Sequence, residues 1–242
     1  MLLRTRVRVQ ALALPLLLAL PLWAGCSAWP LASLPPGAPL QQTPANPALR
    51  LLIVGDSTAA GTGASRAEYT LAGWLARDHP RLLIENRGRN GARFADLAAQ
   101  LAPAGRFDVV LIFAGGNDVI RRTPPPELAA AIDATLARAA ALAPAVLVMP
   151  AGNVGNSRLL PGPLSGPMTE RSRALQTLVR AAAQRHGATH VDLFRERNQD
   201  PFVQRPELTA PDGLHPSDAG YRLWYQELLA RSDLGLRLSP AR

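Results

Sequence analysis

Five times the chain runs through a short, mostly apolar stretch and then into an Ala- and Leu-rich stretch with helical spacing, and that alternation limits the fold more than any other feature. The apolar stretches are Leu51–Val54, Leu82–Ile84, Val109–Phe113, Val146–Met149 and Thr189–Leu193. Stretches apolar on both faces suit strands of a parallel sheet buried between two helical layers. The helical stretches fall near 66–78, 93–102, 126–142, 168–187 and 217–231. Five βα units in series predict a single three-layer α/β/α domain built on a doubly wound, five-stranded parallel sheet. Right-handed crossovers put every strand's carboxyl end on one edge, where binding sites gather. The residues just after each strand are therefore the ones to read for chemistry.

Ahead of this pattern, Met1–Gln10 carries Arg4, Arg6 and Arg8, Ala11–Leu22 is almost wholly apolar, and Trp23-Ala24-Gly25-Cys26 follows. Charged, then apolar, then small is the layout of an export signal. The apolar run is short for a membrane span and is interrupted by Pro15 and Pro21. It resembles a bacterial lipoprotein signal, in which the Cys becomes the acylated N-terminus, although Trp23 stands where that consensus prefers Leu. Residues 1–25 are thus expected to be removed, and Cys26 to be lipidated and to hold the protein at the cell envelope. Plain cleavage near Ala28, releasing a soluble exported protein, is the alternative. Residues 26–48, with six prolines from Pro30 to Pro47, read as a semi-rigid spacer, and the folded domain as 49–242.

The formal charge is +8 from 26 basic and 18 acidic residues, and every basic residue is Arg. A chain without Lys can be neither a Walker-type nucleotide binder, nor a kinase, nor a pyridoxal enzyme. The arginines are scattered rather than striped and no nucleic-acid module is present, so no nucleic-acid partner is expected. A single Cys leaves no intramolecular disulfide and no thiolate cluster. His186 and His190 are four apart, but Gly187 ends the helix between them, so no metal role is expected. A monomer without metal or organic cofactor is the expectation.

Strand one ends in Gly55-Asp56-Ser57-Thr58, strand two leads to Asn86-Arg87-Gly88-Arg89-Asn90-Gly91, and strand three to Ala114-Gly115-Gly116-Asn117-Asp118. Asp212-Gly213-Leu214-His215 precedes the last helix. Each segment alone has an ordinary reading as a helix cap or a turn. Position 59 is Ala, so the first is no nucleophile elbow of the Gly-x-Ser-x-Gly kind. Together on one rim they supply a hydroxyl nucleophile, backbone and amide donors for an oxyanion, and an imidazole with a carboxylate to orient it.

In this order the four segments resemble the blocks of the SGNH, or GDSL-type, hydrolases, over about Leu49 to Leu229. The resemblance implies the flavodoxin-like fold of that family and a serine esterase. It makes Ser57 the nucleophile, His215 the general base and Asp212 its orienting carboxylate. It makes the Ser57 N–H, the Gly91 N–H and the Asn117 amide the oxyanion donors. Gly88 competes with Gly91 for the second block, whose spacing Asn90-Gly91 fits better. Asp56 and Asp118 match the motifs and are read as fixing turns. Thr58 departs from the family's Leu.

Trp74 and Trp224 have helical apolar neighbours and read as core. Arg121-Arg122 read as surface charge, or as a greeting for an anionic group at the cleft mouth. Pro150–Pro167 reads as an irregular loop lining the substrate, with Arg195–Pro211 as the second such loop. The expected reaction is hydrolysis of short acyl or acetyl esters, of envelope lipids or glycans among others. An acyltransferase on the same site and a non-catalytic envelope binding protein stay open as alternatives.

Overall fold

A computed structural model describes residues 38–102, 105–160 and 162–238, so the expected export signal, Cys26 and most of the expected spacer lie outside the described residues. The strands are β1 (Leu49–Gly55), β2 (Leu82–Asn86), β3 (Val109–Phe113), β4 (Ala145–Val148) and β5 (Thr189–His190). The helices are α1 (Ser57–Ala60), α2 (Leu71–Asp78), α3 (Leu97–Gln100), α4 (Gly116–Ile120), α5 (Pro125–Leu142), α6 (Gly162–His186), α7 (Pro201–Gln204), α8 (Asp218–Ala230) and α9 (Leu234–Leu238). The five strands form one parallel sheet in the order β2-β1-β3-β4-β5.

Period-two alternation along the strands splits the core into two layers. Leu52, Val54, Val110, Ile112, Val146 and Val148 pack against α3, α5 and α6. Leu51, Ile53, Val109, Leu111, Phe113 and Leu147 pack against α2, α8 and α9. Every one of these side chains is at most 5% exposed, as strands covered on both faces require.

Three expectations are revised. β5 ends at His190 rather than running to Leu193, because Asp192 turns outward to Arg180 at 2.7 Å and accepts the Phe194 N–H at 2.9 Å. α6 begins at Gly162, so the stretch up to Pro167 is helical rather than irregular. Its first turns are held from outside, since Ser165 donates to the Gly155 carbonyl at 2.6 Å and Thr169 to the Asn153 side chain at 3.0 Å. Residues of the spacer also join the sheet. Gln42 pairs with Ile84 in an antiparallel bridge, and the Gln41 amide bonds both the N–H and the carbonyl of Asn86.

The chain leaves β1 and β3 in opposite directions along the sheet, so their adjacent carboxyl ends form the switch point at which doubly wound sheets hold their ligands.

Candidate active site

Gly55 closes β1 at φ 150, and a Cβ there would sit 1.8 Å from the Phe113 carbonyl oxygen, so only glycine lets β1 and β3 approach this closely at their ends. Asp56 then caps α1. Its Oδ1 accepts the Thr58 N–H at 2.9 Å and the Thr58 hydroxyl at 2.7 Å. The Thr that departs from the family pattern therefore bonds its own cap. Ser57 follows as the first residue of α1, half-buried, with a backbone N–H that has no acceptor within its helix.

Ser57 Oγ lies 2.7 Å from His215 Nε2, across 158 residues of chain. Nδ1 of the same ring lies 2.6 Å from Asp212 Oδ2. The other Asp212 oxygen accepts the N–H groups of Leu214 and His215 at 2.9 and 3.0 Å, so one carboxylate shapes the turn and holds the ring. An ionised carboxylate only accepts, which assigns the proton to Nδ1 and leaves Nε2 to accept from the Ser57 hydroxyl. Burial pushes the Asp212 carboxyl up, but the two backbone N–H groups and the imidazole outweigh it and hold the carboxyl below its ordinary value.

The loop after β2 is drawn toward α1 by Asn86, whose amide donates to the Ala59 carbonyl at 2.8 Å and accepts the Gly88 N–H at 3.0 Å. This separates the two competing glycines. Gly88 is buried against α1, where a Cβ would meet the Ala60 nitrogen at 2.6 Å. Gly91 is half-buried in the left-handed region at φ 77, and its N–H has no acceptor among the described residues. After β3, Asn117 donates one amide hydrogen to the Ala92 carbonyl at 3.1 Å, which leaves the second hydrogen free. Asp118 ties the same two loops together by accepting the Phe94 N–H at 3.0 Å and the Thr123 hydroxyl at 3.0 Å. Asp56 and Asp118 are thus both turn-fixing, and burial pushes both carboxyls above their ordinary values.

Sequence reasoning missed the residue that sets the end of β1. Gln100, 3% exposed on α3, accepts the Gly55 N–H at 2.7 Å and donates to the Gly55 carbonyl at 2.9 Å. A Gln between Leu97 and Leu101 on a buried face was the available signal, since such an amide needs partners. Tyr221 was missed as well. Its hydroxyl donates to the Thr62 carbonyl at 2.7 Å, and the Thr62 hydroxyl donates to the Asn90 side chain at 2.9 Å, which links α8 to the residue before Gly91.

The loop after β4 borders the Asp212 turn, with the Leu159 N–H bonded to the Gly213 carbonyl at 3.1 Å. It is tied to the loop after β5, since Asn156 donates to Asp200 at 2.7 Å and Asn153 to the Arg195 carbonyl at 3.2 Å. Trp74 stacks on Tyr225, and Trp224 packs on Phe202 and Tyr221. His186 bonds Asp133 and His190 bonds Gln176, each at 2.9 Å, so the two rings serve different partners. No group of three or more His, Cys, Asp or Glu able to hold a metal ion occurs among the described residues.

Solved structures share this fold. LAE5, an alpha/beta hydrolase enzyme from the metagenome of Lake Arreo, matches at 26% identity and a TM-score of 0.60, over 77% of this chain and 95% of that one. A lipolytic G-D-S-L family member from Veillonella parvula matches at 14% identity and 0.63, over 76% and 97%. Axe2, an acetylxylan esterase from Geobacillus stearothermophilus, matches as a catalytic mutant at 20% identity and 0.60, over 81% and 99%. No curated protein matches the chain. Residues 53–223 match the model of the GDSL-like lipase/acylhydrolase family, which takes in every segment of the site from the end of β1 to α8. The chain belongs to the GDSL-like lipase/acylhydrolase family and is a carboxylic ester hydrolase.

Proposed function

We propose that the protein is an exported serine esterase that cleaves short acyl esters through an acyl-enzyme on Ser57. The 2.7 Å approach of Ser57 Oγ to His215 Nε2, with Asp212 behind the ring, is the observation that carries this reading. His215 takes the Ser57 proton as Oγ attacks the ester carbonyl, and the imidazolium that forms lies against the Asp212 carboxylate. The Ser57 N–H, the Gly91 N–H and the free hydrogen of the Asn117 amide receive the oxyanion. His215 gives its proton to the leaving alcohol, then activates water to release the acid and regenerate Ser57.

Export rests on the layout of residues 1–25, and the anchor on Cys26. Palmitate labelling of cells expressing the wild type and Cys26→Ser tests the anchor, which requires label in the first alone. The catalytic reading is tested with p-nitrophenyl acetate and a fluorophosphonate probe. Ser57→Ala is expected to lose turnover and labelling together. Wild-type turnover by Ser57→Ala, or labelling at another residue, would refute the reading.

A further inference from the structure

Beside the acyl-transfer residues lies a feature that their chemistry does not use. The Arg121 guanidinium packs over Gly91, its Nη2 only 3.1 Å from where a Cβ on that glycine would stand. Gly91 also forms part of the wall of a surface hollow of about 490 Å³, which it shares with Arg89, Ala95 and Asp96. One arginine thus packs over the residue to which the oxyanion reading assigns a donor, and a second, two positions earlier in the chain, lines the hollow that this residue borders.

Both side chains are exposed, and neither has a hydrogen bond or ion pair among the described residues. Several other arginines on the surface pair with carboxylates, as in Arg173 with Glu170 and Glu196, Arg180 with Asp192, and Arg237 with Asp233, whereas Arg122 and Arg138 have no ion pair among the described residues. A carboxylate is present on the hollow's own wall, yet Asp96 faces Arg93, accepting its backbone N–H at 2.8 Å. Two unpaired cations near Gly91, with the nearby carboxylate engaged elsewhere, leave a positive field around it. A guanidinium offers a planar fork of donors that matches carboxylate or phosphate.

We infer that Arg89 and Arg121 form a subsite for an anionic group on the substrate, so that the esters preferred by this site carry a carboxylate or phosphate close to the scissile carbonyl. The inference rests on the catalytic reading above for the place of the ester, and on the two arginines for the anion. It involves no new bond-making step.

The test uses the full chain in neutral detergent and two matched pairs of acetate esters. One pair is 4-acetoxybenzoate and its methyl ester. The other is 4-acetoxyphenyl phosphate and its dimethyl ester, which distinguishes a preference for phosphate from one for carboxylate. The quantity read is the anionic-to-neutral ratio of kcat/KM within each protein, so any general loss of activity cancels. In Arg89→Gln and Arg121→Gln that ratio is expected to fall about two- to fivefold each, and about tenfold in the double variant, mainly through KM. In the wild type the ratio is expected to fall as salt is raised, which a purely structural role would not produce. A ratio unchanged in the double variant, or a wild-type ratio indifferent to salt, overturns the subsite.

Wild-type protein that hydrolyses no member of either pair would instead count against the catalytic reading. The subsite is then judged by binding of the uncleavable amide 4-acetamidobenzoate against its methyl ester. Wild type is expected to favour the anion, and the double variant to bind both alike. Equal binding by the wild type overturns the subsite on its own.

Discussion

Asp212→Asn changes the fewest atoms for the greatest expected effect. In the wild type, Oδ1 faces two backbone N–H groups, from Leu214 and His215, while Oδ2 accepts the proton of Nδ1 at 2.6 Å. An Asn at 212 has one oxygen and one NH2. If its oxygen stays on the two N–H groups, the NH2 faces Nδ1, which must then accept and give up its hydrogen. The proton moves to Nε2, the atom that lies 2.7 Å from Ser57 Oγ, and the ring can no longer take the hydroxyl proton. The flipped amide would set its NH2 against both backbone N–H groups, leaving two donors unmatched at about 1–3 kcal/mol each, so the wrong tautomer wins. A comparable tautomer change in a serine protease triad lowers kcat by about ten-thousand-fold, or about 5.4 kcal/mol. The same order is expected here, read as the acylation rate on p-nitrophenyl acetate, with the fold intact by circular dichroism. A loss of less than tenfold in folded Asp212→Asn would refute the assignment of roles to the two oxygens.

Asn117→Ala is expected to lower kcat about a hundred- to a thousand-fold with a smaller change in KM, because in the proposed mechanism its free amide hydrogen serves the oxyanion rather than the bound ester. Gln100→Leu orphans the buried Gly55 N–H and is expected to cost about 1–3 kcal/mol in urea denaturation, while the Gly55 carbonyl keeps the Arg89 N–H. Tyr221→Phe removes the hydroxyl that holds Thr62 and is expected to cost about 1 kcal/mol by the same measurement. Asp56→Asn keeps an oxygen for the α1 cap and removes a buried carboxylate. Because burial raises the Asp56 carboxyl above 3.8 in the fold, its favourable contribution is present below that pH and is lost as pH rises through the folded value. The variant should therefore gain on the wild type in urea midpoint at pH 8, and the gain should shrink toward pH 4. A pH-independent difference would refute this.

The layered fold was legible because both of its periodicities are written locally. Leu51 to Val54 alternate between two core layers that face different helices, and a stretch apolar on both faces has few other places to go. Ser57, Gly91, Asn117 and the Asp212-His215 pair were legible for a related reason, since each stands just after a strand or just before a helix on the ligand-binding edge. The misses share the opposite property. Pro167 and its neighbouring glycines read as breakers, and the bonds that keep α6 helical there come from Gly155 and Asn153 in another loop. The two-residue length of β5 depends on an ion pair between Asp192 and Arg180 on the helix before it. Gln100 acts on a backbone 45 residues away, and no local spacing encodes that.

These distant clamps divide the work of building the site. The sheet brings the ends of β1 and β3 side by side, with Gly55 opposite Phe113 in register, which sets position to within a strand spacing. A hydroxyl and an imidazole at 2.7 Å demand finer control than that. It comes from single side chains bonded to backbone: Gln100 on Gly55, Asn86 on Ala59 and Gly88, Asp118 on Phe94, and Asp212 on its own turn. Three of the four clamps grip the last residue of β1 or the segments that follow β1 and β2. The first three touch neither Ser57 nor His215, whereas Asp212 bonds main chain through one oxygen and the His215 ring through the other. Shortening one, as in Gln100→Leu, should therefore move the nucleophile relative to its base and lower kcat before it weakens the hold on an ester, whereas loss of a subsite contact such as Arg121 should act mainly through KM.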